Sequence, residues 1–187
     1  KLSNKINKVF FLHWRWKVSQ KIIKNFCCIC FHMTKLPFGR GGSPLQNLIL
    51  LDKKNTHLTA FMMTNLMDEG PVYYRNKLNL AGSADEIYKR AAILSLKMIS
   101  KILKTKKKPK KQTGKITFFK RRTPSQSEIK NIKSLNKLYN FIRMLDAPNY
   151  PKAYIMMNTY KITFSNAKLH KKTLSTCVTI EKGKIKK

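Results

Sequence analysis

Short apolar runs alternate with polar punctuation through the first half of the chain. KVFFLHW, Lys8–Trp14, is β-branched and aromatic and reads as a strand. VSQKIIKNF follows as a short helix or turn, and CCICF as a second, buried strand. Apolar runs of this kind with a helix between them suit a parallel sheet. SPLQNLILL predicts a helix with Ser43 at the N-cap and Pro44 at the first position. HLTAFMMT and PVYYRNKL read as two more strands, joined by NLMDEG.

The period then changes. In GSADEIYKRAAILSLKMISKIL, Ile87, Ala91, Leu94, Met98 and Ile102 share one face, and Ser83 with Glu86 forms a capping box. GKITFFK reads as a strand. SQSEIKNIKSLNKLYNFIRMLD predicts a second long helix, with Ser125 and Glu128 as its capping box and Ile129, Ile132, Leu135, Tyr139 and Ile142 as its stripe. KAYIMMNTYKITFSNA and LSTCVTIEKGKI alternate like a small antiparallel β unit. The pattern is therefore α/β over residues 1–111, including a lysine-rich loop at 104–111. A linker helix and a small C-terminal β subdomain follow over 112–187. The α/β part opens directly on a strand and reads as lacking an N-terminal half.

Charge adds a question to this picture. The 187 residues carry 40 Lys+Arg against 8 Asp+Glu, a net charge of +32, while the apolar share of 42% is enough for a packed core. A dense cationic surface suits nucleic-acid phosphates, but these lysines are spread along the whole chain, as a compositional bias would spread them. The clearest cluster, KTKKKPKK at Lys104–Lys111, reads most simply as a solvated loop. No apolar run approaches the roughly 20 residues of a membrane span. No signal-peptide pattern is present, so a cytoplasmic location is the default expectation. Cys27, Cys28 and Cys30 lie on one strand whose neighbouring side chains point to opposite faces, so they do not converge on a metal, and no metal is expected. Buried free thiols, with Cys177 as the fourth cysteine, fit better.

Few residues are left for chemistry. Asp85, Glu86 and Glu128 suit helix starts, and Asp52 and Asp146 suit turns. Asp68 and Glu69 in MDEGP are either turn residues or carboxylates at a strand–loop junction beside His32. His32 is either satisfied structure or a functional group. Arg40 is one of few arginines in a lysine-dominated chain, and arginine is the better fork for carboxylate or phosphate.

FHMTKLPFGRGGSPLQNLILL followed by HLTAFMMTNLMDEGPVYY resembles the 10-formyltetrahydrofolate-dependent formyltransferases. His32, Leu36, Pro37, Arg40 and Gly41 match that family's histidine, Leu-Pro and Gly/Arg turn, and Asp68 with Gly70 matches its aspartate and glycine. FFKRRTPSQSEI is similar to the R-R-x-P-x-x-S segment of the methionyl-tRNA and amino-sugar branches. FIRMLDAPNYPKAYI is similar to their I-R-x-L-x-x-P-x-P-x-A-[FY] segment. The blocks run in order from about Val9 to Ile155.

The resemblance implies a partial Rossmann-like core and transfer of a formyl group from 10-formyltetrahydrofolate to an amine. It implies that His32 donates to the oxyanion of the tetrahedral intermediate. Asp68 then holds His32 protonated and helps move the amine proton. The family's asparagine, two residues before the histidine, is Cys30 here, and a thiol is a weak donor. Loss of one oxyanion donor costs roughly a hundredfold or more in rate. Another group, such as the Thr34 hydroxyl, takes over, or the chain is a poor enzyme. The family layout places the folate along Trp14, Arg15 and Trp16, along Leu36, and along Leu66 and Met67. Core packing is an equal reading of each tryptophan. The acceptor falls to Arg40, Gly41, Gly42, Ser43 and Gln46.

The expected function is N-formyl transfer to an amino sugar or similar small amine, with initiator methionyl-tRNA as the second acceptor. A non-catalytic basic RNA-binding derivative and a truncated fragment with an open strand edge are the readings of another class.

Overall fold

The computed structural model describes residues 7–183. They form two compact units. One comprises residues up to 44, 55–79 and 89–120; the other comprises 45–54, 80–88 and 121 onward.

The first unit is built on a sheet of strands β1 (Lys8–Phe11), β2 (Cys27–His32), β4 (Asn55–Met62) and β5 (Val72–Asn79), in the order β1-β2-β4-β5. β1 and β2 are parallel, joined through α1 (Gln20–Asn25), whose N-terminus is capped by the Ser19 side chain. The parallel expectation ends there. β4 is antiparallel to both β2 and β5; the short 63–71 connection reverses the chain into β5, while β2 reaches β4 through residues 33–54. β1 also stops at Phe11 rather than Trp14, with His13 in the left-handed region at φ 48°. Ile29 and Phe31 of β2, and Leu58, Ala60 and Phe61 of β4, are buried, as central strands require. Phe11, Val18 and Cys28 form one core cluster, and Leu36, Phe61 and Val72 another.

A second, minimal sheet pairs β3 (Arg40–Gly41) in parallel with β6 (Phe118–Phe119). The strand expected in GKITFFK is thus only two residues long. Helix α3 (Ala84–Lys104) has the expected capping box. Ser83 N–H donates to Glu86 Oε2 at 2.7 Å, and Glu86 N–H donates to Ser83 Oγ at 3.3 Å.

In the second unit, α2 (Pro44–Leu50) buries Leu45, Gln46, Leu48 and Ile49. Ser43, at φ 50°, lacks the extended backbone of an ordinary N-cap. The expected long second helix is confined to α4 (Leu135–Arg143), capped by Ser134. Upstream, Pro124–Ser127 is a 3-10 turn in which Thr123 N–H is held by the Gln126 side chain. Glu128 pairs with Tyr154 in a parallel bridge, and Asn131 is left-handed at φ 53°. Ser125 lies inside that turn and Glu128 closes it, its N–H donating to Ser125 O, so they form no capping box of a long helix, and Ile129 and Ile132 lie outside any helix. β7 (Ala153–Met157), β8 (Tyr160–Leu169) and β9 (Leu174–Lys182) form the expected antiparallel sheet, with α4 lying against β8. Buried Arg143 ties the unit together by donating to the carbonyls of Leu80 and Gly82 and to Asn140 Oδ1. Of the cysteines only Cys28 is buried; Cys27 and Cys30 are half-buried and Cys177 is exposed, which corrects the expectation of buried thiols. Among the described residues no helix is long and apolar enough to cross a membrane.

The face of α3 is open to a direct test. Met98 is 2% exposed and Leu96 is 62% exposed. Met98→Ala is expected to cost about 2–5 kcal/mol. Leu96→Ala should change stability by no more than about 0.5 kcal/mol. Urea unfolding of the two variants beside the parent checks both.

Candidate active site

β2 presents His32 at its C-terminal end, 8% exposed. Gly39 O lies 2.7 Å from its Nε2. A carbonyl only accepts, so this contact fixes a proton on Nε2. Nδ1 is then the nitrogen directed at Asp68, 3.7 Å from Oδ2. That is beyond a hydrogen bond, as acid–base pairs without substrate often are.

Asp68 sits between β4 and β5 with a left-handed backbone at φ 53°, a conformation aspartate tolerates better than most residues. The segment is held by donors from two distant places. Gly41 N–H donates to Asp68 Oδ2 at 2.8 Å. Gln112 Nε2 donates to the carbonyls of Asp68 and Gly70, at 2.8 Å each. Gln112 Oε1 in turn accepts from Arg40 Nη2 at 2.9 Å, and Arg40 Nη1 lies 3.5 Å from Glu69 Oε2. Two glycines are required by close approach. A Cβ on Gly41, at φ 100°, would come within 2.5 Å of Phe119 O, and one on Gly70 within 1.6 Å of Met62 O.

Cys30 packs beside Leu36, Phe61 and Val72. Burial above all, and then the charge of Asp68, push its thiol up to about 12, against a small opposing hydrogen bond from the Phe31 backbone. It stays a neutral thiol throughout the working pH range. Thr34 is fully buried and donates through Oγ1 to Gly39 O at 3.5 Å, the carbonyl that also holds His32.

The structure therefore brings together His32, Asp68, Gly41 and Arg40, with Cys30 close by. Arg40 differs from its expected place. It is 4% exposed, and both its terminal nitrogens are engaged by protein side chains, so it braces the Asp68–Gly70 turn instead of reaching for an acceptor. Gly42 and Ser43 are half-buried, and Gly42 N–H donates to Phe119 O. Gln46 is buried within the second unit, donating to Met144 O and Tyr88 Oη, and offers no open surface.

On the folate side, Trp14, Arg15, Trp16, Leu66 and Met67 are exposed, which removes the core-packing reading of the tryptophans. The two indoles meet edge to face at 5.0 Å, and the Arg15 guanidinium lies 4.7 Å over the Trp16 ring. Leu36 is buried in the core, so only its backbone can serve a ligand. Gln112 was not anticipated. Its partners are 42 to 72 residues away, and nothing local to it signals the role. A concavity of about 350 Å³ in the second unit, among Pro124, Tyr154, Met156 and Lys161, has no histidine or carboxylate in its lining and offers no acid–base chemistry.

Comparison with known proteins gives these arrangements a context. The family model described as the methionyl-tRNA formyltransferase C-terminal domain matches residues 124–181. A solved structure of methionyl-tRNA formyltransferase from Clostridium thermocellum is 42% identical, with a TM-score of 0.92 over 95% of this chain and 78% of that one. The bifunctional polymyxin resistance protein ArnA of Wigglesworthia glossinidia brevipalpis is 28% identical over 92% of this chain and 28% of its own length. A 4-N formyltransferase from Francisella tularensis shares the fold, with a TM-score of 0.66 at 19% identity over 83% of this chain and 67% of that one. The chain spans 40% to 49% of several curated methionyl-tRNA formyltransferases it matches.

The thiols provide a check on the site. Alkylation proceeds through the thiolate. Iodoacetamide at pH 8 should modify exposed Cys177 and leave Cys30 untouched in the folded chain, with both modified in urea. Peptide mass mapping reads the outcome, and rapid labelling of Cys30 in the folded chain would contradict the packing described.

Proposed function

This chain belongs to the 10-formyltetrahydrofolate-dependent formyltransferase family, and from that premise we propose that it carries the catalytic and C-terminal parts of an N-formyltransferase. The observation behind this reading is the His32–Asp68 pair at 3.7 Å, held in place by Gly41 and Gln112. The division into a core over 1–111 and a C-terminal part over 112–187 belongs to the same proposal.

The chemistry needs one base and one donor. An acceptor amine attacks the formyl carbon, its proton must leave, and the carbonyl oxygen becomes an oxyanion. Asp68 Oδ2 supplies the acceptor for the proton, directly or through a water. His32 is held by Gly39 through Nε2, so its donor toward the reaction is a protonated Nδ1. Cys30 adds no amide donor, which makes the oxyanion site of this chain weaker than one with asparagine there. The exposed Trp14–Trp16 segment and Leu66–Met67 supply apolar and aromatic surface suited to a pterin.

Two acceptors stay in view. Methionyl-tRNA is favoured by the 42% identity to the Clostridium thermocellum structure and by the family model over 124–181. An amino sugar, the first expectation from the sequence, becomes the second reading, because Arg40 and Gln46 of its expected acceptor segment are engaged within the protein.

The first measurement is binding of a stable 10-formyltetrahydrofolate analogue to the chain and to Trp14→Ala. Saturable binding that Trp14→Ala weakens supports the reading, and no binding by a cooperatively folded chain sinks it. Where transfer is measured, His32→Ala and Asp68→Ala should each lower the rate by roughly 10²–10⁴-fold. Cys30→Asn, which restores an oxyanion donor, should raise it up to roughly a hundredfold.

A further inference from the structure

The lysine-rich segment is the exposed loop its composition predicts, but one bridge ties it to the sheet. Lys110 and Val72 exchange two backbone hydrogen bonds, Val72 N–H to Lys110 O at 2.7 Å and Lys110 N–H to Val72 O at 2.9 Å. The segment is thereby joined to the start of β5. Farther along, Tyr74 Oη meets Thr105 Oγ1 at 3.1 Å, and the Tyr74 ring takes Lys101 Nζ at 4.7 Å and Lys107 Nζ at 4.3 Å. These contacts draw lysines that would otherwise repel one another against a single strand edge.

Between them lies a concavity of about 250 Å³, lined by Val72, Tyr73, Tyr74, Arg75, Lys107, Lys110 and Lys111. Four of these residues are basic and none is acidic. Tyr73 brings no anion of its own, since burial, with its contact to Cys27, pushes its hydroxyl up to about 12. Arg75 gives one terminal nitrogen to Leu36 O, and its buried Nε–H has no acceptor.

We propose that this concavity is an anion site for a phosphate-bearing ligand, with Lys107, Lys110 and Lys111 as point charges and Arg75 at its wall. Like charges held together in a fixed frame repel, and a bound polyanion removes that cost. Phosphate suits the mixture of ammonium groups with a planar guanidinium. The ligand is read by its phosphates and not by base stacking, because Tyr74 already carries lysine ammonium groups over its ring. The ligand is either a small diphosphate or the phosphodiester backbone of a nucleic acid.

The test separates a built site from the general field of a +32 chain. One triple variant is Lys107→Gln with Lys110→Gln and Lys111→Gln. The control is Lys168→Gln with Lys171→Gln and Lys172→Gln, which removes the same charge from exposed positions in the second unit. Pyrophosphate and a short single-stranded oligonucleotide are titrated calorimetrically into each, with thermal unfolding recorded for every variant. The first triple is expected to weaken binding by roughly tenfold or more, about 1.4 kcal/mol, while the control weakens it far less. Arg75→Lys, which keeps the charge and removes the fork, should weaken pyrophosphate as well. Loss of pyrophosphate binding in the site triple assigns a small diphosphate, whereas unchanged pyrophosphate affinity with loss of the oligonucleotide assigns a phosphodiester backbone. In the nucleic-acid case that triple should lower the log–log salt slope by about two. Equal weakening by both triples, or no saturable binding of either probe, overturns the proposal. Binding of the folate analogue should be unchanged in the site triple, so the fate of this site and that of the formyl-transfer reading are measured separately.

Discussion

The arrangement of the candidate site depends on the grip of Gln112 and Gly41 on the turn that carries Asp68. A left-handed aspartate followed by a glycine packed onto Met62 O is a poor conformation to hold by itself. Gln112 satisfies two of the turn's carbonyls with one amide, and its own oxygen is satisfied by Arg40. Gly41 N–H takes Asp68 Oδ2 from the other side. Each member of the set is buried or half-buried and each depends on the others, which is the condition under which a polar network rigidifies a site. Arg40 fits this role because a guanidinium can serve Gln112 and Glu69 from separate nitrogens.

The parts of this that were readable from sequence are those encoded by short-range patterns. The strands around Cys27–His32, Asn55–Met62 and Val72–Asn79 are apolar runs, and the start of α3 is announced by Ser83 and Glu86. The second long helix failed where two local signals competed with a good apolar stripe. Ser134 is itself a strong N-cap, and Asn131 is among the residue types that accept a left-handed backbone. A bridge between Glu128 and Tyr154, residues far apart in the chain, then decided the matter. Tertiary pairing of this kind leaves no trace in periodicity. The candidate site was legible through His32 and Asp68, but Gln112 and the bracing role of Arg40 were not. Their meaning exists only once residues up to 72 apart are brought into contact.

Charge was the least legible feature. A lysine run punctuated by proline has the composition of a solvated loop, and nothing in the run itself distinguishes it from one. Val72 and Tyr74 supply the difference, through an edge that accepts a backbone pair and a ring that accepts ammonium groups. The same composition can therefore dissolve a chain or build a local field, depending on whether a sheet edge lies within reach.

Cys30 shows how packing and chemistry pull against each other at one position. It stands across from Phe61 in β4 and packs with Leu36, Phe61 and Val72, surroundings in which a thiol costs nothing to bury. An asparagine amide in the same place would need partners for its donors and its acceptor, and in the absence of ligand the cluster offers it apolar side chains. A chain with cysteine at this position has apolar packing there, and Gly39 holds His32 through Nε2, leaving its Nδ1 edge toward Asp68. The position thus holds a side chain suited to its apolar neighbours where a polar amide would need partners, beside the His32–Asp68 pair.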